Sequence, residues 1–517
     1  MLINISRSLI DLLGKDYGHA LTQVAQFLHG IDIQRANDLA NMKVEFYSNE
    51  AQNTQNRLVK QVGHAVTAAF TNDNTGAATL AYENASNLNA APIGGSGAFR
   101  IGEDGKVYLA AKSEHYQASL GHHFGGYKLI DFARELGVIN ATHNNTRGYV
   151  TRLTERELIR CVNNLEKENQ NGLMEVIRSK APKLLNRVIN LETGSLAVEA
   201  GIKMMLARFY KIDKRVPAPK YSGKIPVFFV MSDNNGGREA NYHGTTILAQ
   251  IMRDMWPELL QSAEEIGIFK VVGVHINDCD DLKAKLVQYN SGAYKTAGFL
   301  HEIILMNYGG IRLTEKYLHE AYMLCEQYDT PVLVDEIQSC MWYQGMFLFK
   351  LYGLKPDFVV IGKGFPGGEY ASSKIITTYE MDVLSQFGAL VTNGQQELSS
   401  LAYLVTMEFT QANNEEIQKH GDYFDRILSE LKDRFSDFIV KIEGRGHLAS
   451  IHFHSVRTAE TFSAQMNKQC IDISAQTYKA NCPPAALLKL PLITTTETMD
   501  YLGEIMQEIL TGMRERS

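Results

Sequence analysis

The stretch PVLVDEIQ (331–338) is an apolar run that ends in a pair of carboxylates, the first of which is Asp335. A second apolar run, PDFVVIGKGFPGG (356–368), ends in a single lysine, Lys363, which stands between two glycines. Short apolar runs of this kind are typical of buried strands, and open α/β sheets place the polar residues that follow their strands in one crevice. The two stretches therefore predict an α/β fold with an acid and an amine at one site.

An acid and an amine in one crevice suit the cofactor pyridoxal 5'-phosphate (PLP). The amine of Lys363 forms a Schiff base with the cofactor aldehyde in this interpretation, and Asp335 holds the ring nitrogen protonated so that the ring withdraws electrons. A lysine must lose its proton before it attacks an aldehyde, and its ordinary pKa is about 10.4. Burial at the end of a strand disfavours the charged amine, lowers that pKa, and suits a residue that moves protons.

The apolar patterns around these two strands extend the prediction to the rest of the chain. From about residue 150 to 395, short apolar runs such as PVFFVM (226–231) alternate with helical patterns, which is typical of a mostly parallel sheet covered by helices. Further along, KIEGRGHLASIHFH (441–454) predicts a strand pair, and a terminal helix is expected from about Thr496. FRIGEDGKVYLA (99–110) predicts a hairpin.

These patterns divide the chain into four predicted segments. They are an N-terminal helical extension with an Asn-rich arm at 71–97 (1–98), the N-terminal part of a small domain (99–149), a large PLP-binding domain (150–395), and the C-terminal part of the small domain (396–517). The expected fold is thus an α/β large domain with a mostly parallel sheet, plus a small α+β domain built from both chain ends.

The composition of this 517-residue chain limits which partners and which compartment we expect for it. Its net charge of −7 offers no basic surface for nucleic acid or an anionic membrane. Six scattered cysteines without a CxxC pair favour a reducing compartment over a disulfide framework. No apolar run reaches the length of a signal peptide or of a membrane span, so we expect a cytoplasmic protein without a membrane partner.

Two further stretches fit a phosphorylated planar cofactor. In TGSLAVEAGIK (193–203), Gly194 and Ser195 open a helical pattern, and a helix N-terminus with free N–H groups suits a phosphate. Serine is also a common helix N-cap, so this reading stays open. In NYHGTT (241–246), the aromatic Tyr242 beside a glycine could lie on a planar ring or could simply pack in the core.

Taken in order, these pieces resemble the class III (ornithine-type) aminotransferases of the PLP fold-type I superfamily. The resemblance covers about residues 99–510. Besides the stretches quoted above, it includes LGHH (120–123), HINDCDDLKAKL (275–286), HEII (301–304), LVTNGQQELSSLA (390–402), EGRGHLASIHF (443–453) and LPLITTTETMD (490–500).

The resemblance implies roles for nine residues. Those on the cofactor are Lys363 as the Schiff-base lysine, Asp335 at the pyridine nitrogen, Gln338 at the ring hydroxyl, Tyr242 on the ring face, and Gly194 and Ser195 at the phosphate. Thr392 matches a threonine that reaches the phosphate of the neighbouring subunit's cofactor, which implies a homodimer with shared active sites. Glu302 matches a glutamate on the substrate's entry side, and Arg445 an arginine that binds the substrate α-carboxylate.

The implied reaction moves an amino group between an amino acid or ω-amine and a keto acid or aldehyde. An aminomutase, which moves the amino group within one molecule, shares the same motifs and stays open, as does a non-catalytic protein of this fold. The substrate side departs from the family pattern, because SCMWYQG (339–345) is bulky and lacks an arginine. No metal site is predicted, and His452 and His454 of IHFH (451–454) are interpreted as structural.

Overall fold

The computed structural model describes residues 2–71, 76–82, 87–477 and 482–516. Within these ranges the strands, in chain order, are β1 (Ser6–Arg7), β2 (Val44–Glu45), β3 (Pro92–Ser96), β4 (Phe99–Gly102), β5 (Val107–Leu109), β6 (Leu185–Leu191), β7 (Ile225–Met231), β8 (Lys270–Val274), β9 (Tyr294–His301), β10 (Ile304–Leu305), β11 (Ile311–Arg312), β12 (Val332–Asp335), β13 (Phe358–Ile361), β14 (Ser373–Thr378), β15 (Ile439–Arg445), β16 (Leu448–Phe453), β17 (Ser474–Gln476) and β18 (Ala485–Lys489).

The helices of the same ranges are α1 (Leu9–Leu13), α2 (Lys15–His29), α3 (Ile33–Asn41), α4 (Asn49–Leu58), α5 (Ser113–Tyr116), α6 (Lys128–Glu135), α7 (Tyr149–Val162), α8 (Gln170–Arg178), α9 (Gly194–Leu206), α10 (Ile247–Ile251), α11 (Pro257–Glu265), α12 (Cys279–Gln288), α13 (Glu315–Gln327), α14 (Leu348–Leu351), α15 (Gln386–Ala389), α16 (Glu397–Ala412), α17 (Asn414–Arg434), α18 (Val456–Lys468) and α19 (Thr496–Glu515). Several begin at a side chain that accepts a hydrogen bond from the first turn, as Ser8, Asp278, Thr314 and Thr495 do.

A seven-stranded sheet in the order β6-β14-β13-β12-β9-β7-β8 forms the centre of the molecule. Strands β13, β12, β9, β7 and β8 pair in parallel, while β14 runs antiparallel to both of its neighbours. The predicted mostly parallel sheet is confirmed. Successive residues of β12 are buried on opposite faces, with Leu333 packed among side chains of α9 and Val334 in the other large apolar cluster, as expected for a sheet covered on both sides.

The strand register brings the functional residues to one edge of this sheet. Asp335 pairs with Val360 of β13, so Lys363 follows just beyond the same edge. His301 of β9 pairs with Val334, which places Glu302 level with Asp335. The carboxyl ends of three neighbouring strands therefore deliver Glu302, Asp335 and Lys363 to one place.

A second, smaller unit combines both chain ends. Strands β15, β16, β18 and β17 form an antiparallel sheet, and β15 and β16 confirm the predicted strand pair. The hairpin of β4 and β5 is also confirmed, and its Phe99 and Leu109 share one apolar cluster with residues of α17, α18 and α19. The terminal helix α19 begins at Thr496, where it was expected.

The N-terminal segment is helical as predicted, but it shares the core of the large unit. Leu9, Leu13 and Ala36 lie in the same apolar cluster as Val334 of the central sheet. The Asn-rich arm at 71–97 falls partly outside the described residues. Its end forms strand β3, which pairs with β4 and is largely exposed at the edge of that small sheet. The four segment boundaries stay predictions. No helix in the described ranges has the length and apolar character that crossing a membrane requires.

Candidate active site

A cavity of about 270 Å³ opens at the carboxyl edge of the central sheet. Six of the nine residues singled out in the sequence line it: Gly194, Ser195, Tyr242, Asp335, Gln338 and Lys363. They come from chain segments up to 169 positions apart, yet each follows a strand of the same sheet or opens the helix after one. The parallel topology is the physical reason that they meet.

Lys363 stands two residues after β13 with a φ of +28°, a backbone region that side-chain-bearing residues rarely adopt. Burial lowers the pKa of its amine to about 8, and the nearby carboxylates of Glu302 and Asp335 oppose that shift. Its Nζ lies 4.9 Å from the ring centroid of Tyr116. An amine with this pKa is neutral in about a tenth of the molecules at pH 7, far more than for an ordinary lysine, and the neutral form is the one that attacks a carbonyl.

Asp335 is held by two hydrogen-bonding groups. The Nδ1 atom of His243 lies 2.9 Å from Asp335 Oδ2, and the backbone N–H of Ile337 donates to Asp335 Oδ1 at 3.1 Å. Both the carboxylate and the imidazole are buried. The Asp335 carboxylate is therefore oriented by its neighbours and presented to the cavity as an acceptor for a protonated nitrogen.

The start of α9 forms a cup at one end of the cavity. Ser195 is not the N-cap, because the helix begins at Gly194 after Thr193, whose side chain makes no capping hydrogen bond. The hydroxyl of Ser195 accepts the backbone N–H of Thr245 at 3.0 Å. Gly244, with a φ of +113°, packs so closely that a Cβ there would lie 2.5 Å from Ser195 Oγ. This close approach leaves a helix N-terminus and a hydroxyl together, a donor set that suits a phosphate.

Gln338 and Glu302 form a buried pair beside Lys363. Gln338 Nε2 donates to Glu302 Oε1 at 2.8 Å. Within the described ranges the Oε1 atom of Gln338 and the Nε2 atom of His243 have no hydrogen-bond partner, although both are buried. Buried polar atoms without partners are rare in proteins, and those at a cavity are ready to bind a polar ligand.

A sequence model described as Aminotransferase class-III matches residues 102–510, well over half of the chain. The chain belongs to the class-III aminotransferase family. The family assignment makes it a PLP-dependent enzyme that transfers amino groups, as the resemblance implied.

Individual relatives agree with this family. The class-III aminotransferase is 24% identical over 389 residues to ornithine aminotransferase 1 of Staphylococcus saprophyticus, which covers 74% of this chain and 90% of the relative. It is also 24% identical over 445 residues to acetylornithine aminotransferase of Aquifex aeolicus, covering 84% of this chain and 100% of the relative.

Solved structures share its fold. Adenosylmethionine-8-amino-7-oxononanoate aminotransferase of Methanocaldococcus jannaschii superposes with a TM-score of 0.65 at 20% identity, covering 89% of this chain and 99% of that one. The ornithine aminotransferase of Toxoplasma gondii, a structure with partial PLP occupancy, superposes with a TM-score of 0.65 at 19% identity. The match covers 84% of this chain and 93% of that one. The predicted fold-type I architecture is confirmed.

The residues at the cavity of this aminotransferase fit PLP. Asp335 is placed to meet a ring nitrogen, and the cup at Ser195 is placed to meet a phosphate. The buried Oε1 atom of Gln338, which has no hydrogen-bond partner within the described ranges, is placed to meet a polar group on the ring edge. The amine of Lys363 faces the same cavity. The set of donors, acceptors and one partly neutral amine corresponds to the polar groups that PLP carries.

Three of the residues singled out in the sequence do not line the cavity. Glu302 lies just behind it, bonded to Gln338. Thr392 is exposed in the loop before α16. Arg445 ends β15, where its carbonyl accepts the hydroxyl of Tyr343 at 3.1 Å and where its charge acts on the Asp425 carboxyl.

Sequence reasoning missed one residue that lines the cavity, His115, and two that bond to residues lining it, His243 and Lys489. His243 stands next to Tyr242 in the quoted NYHGTT, and His115 lines the cavity from a turn before the LGHH stretch. Lys489 is fully buried, with its Nζ 3.9 Å from the ring centroid of Trp342 and 4.1 Å from that of Tyr116. A lone lysine in the apolar run AALLKLPL (485–492) is the same pattern that identified Lys363, and it was available in the sequence.

Proposed function

We propose that this class-III aminotransferase holds PLP covalently on Lys363 and moves an amino group between an amino acid or ω-amine and a keto acid or aldehyde. The observation that carries the proposal is the arrangement of Lys363, Asp335 and Ser195 around one cavity, at the edge where neighbouring strands end. Relatives named for ornithine and acetylornithine support an amino acid as one of the two substrates.

Each cavity residue has one task in this proposal. Gly194 and Ser195 bind the phosphate, Tyr242 lies against the ring, Gln338 meets the ring hydroxyl, and Asp335 accepts a hydrogen bond from the protonated ring nitrogen. His243 keeps the Asp335 carboxylate in position. Bound PLP supplies a ring that stabilises negative charge on the substrate carbon.

Lys363 then has a second task as the group that moves the proton. The pKa of its amine is lowered to about 8 by burial, so the released amine accepts and returns a proton near neutral pH. Glu302 lies beside Lys363 and accepts a hydrogen bond from Gln338. This bond connects the residue proposed for the substrate's entry side with the residue proposed to meet the ring hydroxyl.

The proposed assembly is a cytoplasmic homodimer with shared active sites. Thr392 is exposed and does not line the cavity of its own chain, which leaves it available for the cofactor phosphate of a partner. The six cysteines are all unpaired within the described residues, which supports a reducing compartment.

An amino-donor titration of the purified holoenzyme tests the proposal. A transaminase incubated with a donor alone converts its cofactor to the amine form, with a change in absorbance, and releases a free oxo product. An aminomutase returns a rearranged product without a second substrate. Protein that carries no PLP after expression with the cofactor supplied, or whose borohydride label sits on a lysine other than Lys363, would contradict the proposal.

A further inference from the structure

The turn α5 is unusual because four consecutive residues have left-handed backbone. Ser113, Glu114, His115 and Tyr116 have φ values of +49°, +49°, +55° and +75°. Each left-handed residue with a side chain costs roughly 1–2 kcal/mol, and such strain concentrates at functional sites. The consequence here is that His115 reaches the cavity beside Lys363.

Polar links outside the cavity hold this turn in place. Ser113 Oγ donates to the carbonyl of Lys489 at 2.5 Å. The carboxylate of Glu114 is paired with Arg100 at 2.5 Å and with the His122 ring at 3.0 Å. With its neighbours so anchored, His115 is presented by a rigid support, which is what a binding residue requires.

The imidazole of His115 is free to bind a ligand. Among the described residues no side chain or backbone group makes a hydrogen bond with it, and the residue lines the cavity. Burial and the charges of Lys363, Lys112 and Lys489 lower its pKa to about 4. At neutral pH the ring is therefore uncharged, and one of its nitrogens carries a proton that it can donate.

The surroundings of His115 favour a negatively charged ligand. Three lysines act on it, and Asp472, which opposes them, is already paired with Arg100 at 2.8 Å and with Lys112 at 2.9 Å. The amine of Lys489 donates to the backbone carbonyl of Gln338, and burial lowers the pKa of this amine. An anion at His115 would favour the charged forms of these lysines and would be stabilised in turn.

We propose that His115 is a specificity-determining residue that donates a hydrogen bond to the substrate's carboxylate. The inference rests on the proposed function, because it names the substrate group that binds in the same cavity. The family resemblance gave carboxylate binding to Arg445, but Arg445 lies at the end of β15 and does not line the cavity, whereas His115 does.

Two variants of equal shape test this proposal. Asparagine and aspartate both tolerate left-handed backbone, but His115→Asn keeps an N–H donor and His115→Asp replaces it with a negative charge. Binding of propionate, a carboxylate that cannot react, to the holoenzyme is measured by calorimetry. We expect His115→Asn to stay within about threefold of wild type and His115→Asp to weaken propionate by at least about tenfold.

The donor half-reaction gives a second readout. Alanine and ethylamine differ by one carboxylate, and each is mixed with holoenzyme while the absorbance of the cofactor is followed. His115→Asp should slow the alanine reaction selectively, whereas Arg445→Gln should leave the ratio of the two rates unchanged. Equal losses for both donors, no saturable propionate binding by wild type, or a selective loss in Arg445→Gln would overturn the proposal. Retained PLP absorbance in the His115 variants separates this failure from failure of the proposed function.

Discussion

The Nδ1 atom of His243 lies 2.9 Å from Oδ2 of Asp335, and both side chains are buried. The carboxylate is thus oriented before any ligand enters, by a group that stands directly beside the proposed stacking residue, Tyr242. In the proposed site, one short stretch, NYHGTT (241–246), would therefore shape three parts: the ring face through Tyr242, the acid at the ring nitrogen through His243, and the phosphate cup through Gly244.

Asp335→Asn should bind PLP but lose most activity, because a neutral amide cannot hold a protonated ring nitrogen. Steady-state rates and the cofactor absorbance of the purified variant are the measurements. Activity that stays within about tenfold of wild type, equivalent to about 1.4 kcal/mol, would remove Asp335 from this role.

His243→Leu should lower the rate by about 10- to 100-fold, since a hydrogen bond to a charged group contributes about 1.5–3 kcal/mol. If His243 acts through Asp335, adding it to Asp335→Asn should cause little further loss. The double variant is the control, and losses that simply multiply would show that His243 acts independently of the carboxylate.

The rate at which Lys363 binds PLP covalently should depend on pH through the protonation of the lysine amine. The pKa of its amine is lowered to about 8 by burial, so the reactive neutral form increases as the pH rises through 8 and is then complete. The rate of absorbance change on mixing apo protein with PLP should follow that curve. A rate that continues to rise through about pH 10.4 would mean an ordinary, exposed lysine. Lys363→Ala should abolish turnover and covalent capture.

Gly244→Ala should weaken PLP binding by at least about tenfold, because a Cβ there meets Ser195 Oγ at 2.5 Å and the φ of +113° is strained for alanine. Gly236→Ala is the matched control, since its φ is +83° and nothing lies within 4 Å of its Cβ. Fluorescence titration of apo protein with PLP measures both. Equal affinity of the two variants would show that backbone strain, and not the cup, governs binding.

Thr392 is expected to act across the subunit interface. Sedimentation should show a dimer at micromolar concentration, and Thr392→Val should weaken the binding of PLP. Coexpression of Thr392→Val with Lys363→Ala should yield mixed dimers with one site that has both residues intact. Activity that does not exceed that of either variant alone would indicate that Thr392 serves its own chain or neither.

The sequence alone predicted the central sheet and the residues at its edge. Asp335 and Lys363 follow strands that are recognisable from local apolar runs, and parallel topology dictates that such strand ends meet. The helix start at Gly194 and Ser195 could also be predicted, because a helix start is a local feature of the sequence. What these predictions share is that each depends on a few neighbouring positions in the chain.

The tertiary structure decided the residues that long-range packing places. His115 reaches the cavity from a left-handed turn that no local preference favours, and one of the bonds that hold this turn runs from Ser113 Oγ to the carbonyl of Lys489, 376 positions away. The register of β18 pairs Lys489 with Leu448, and the amine of Lys489 lies over the rings of Tyr116 and Trp342. The same small sheet leaves Arg445 away from the cavity wall. Apolar periodicity specifies which residues end a strand, whereas the direction of a side chain from another sheet depends on how the two units pack.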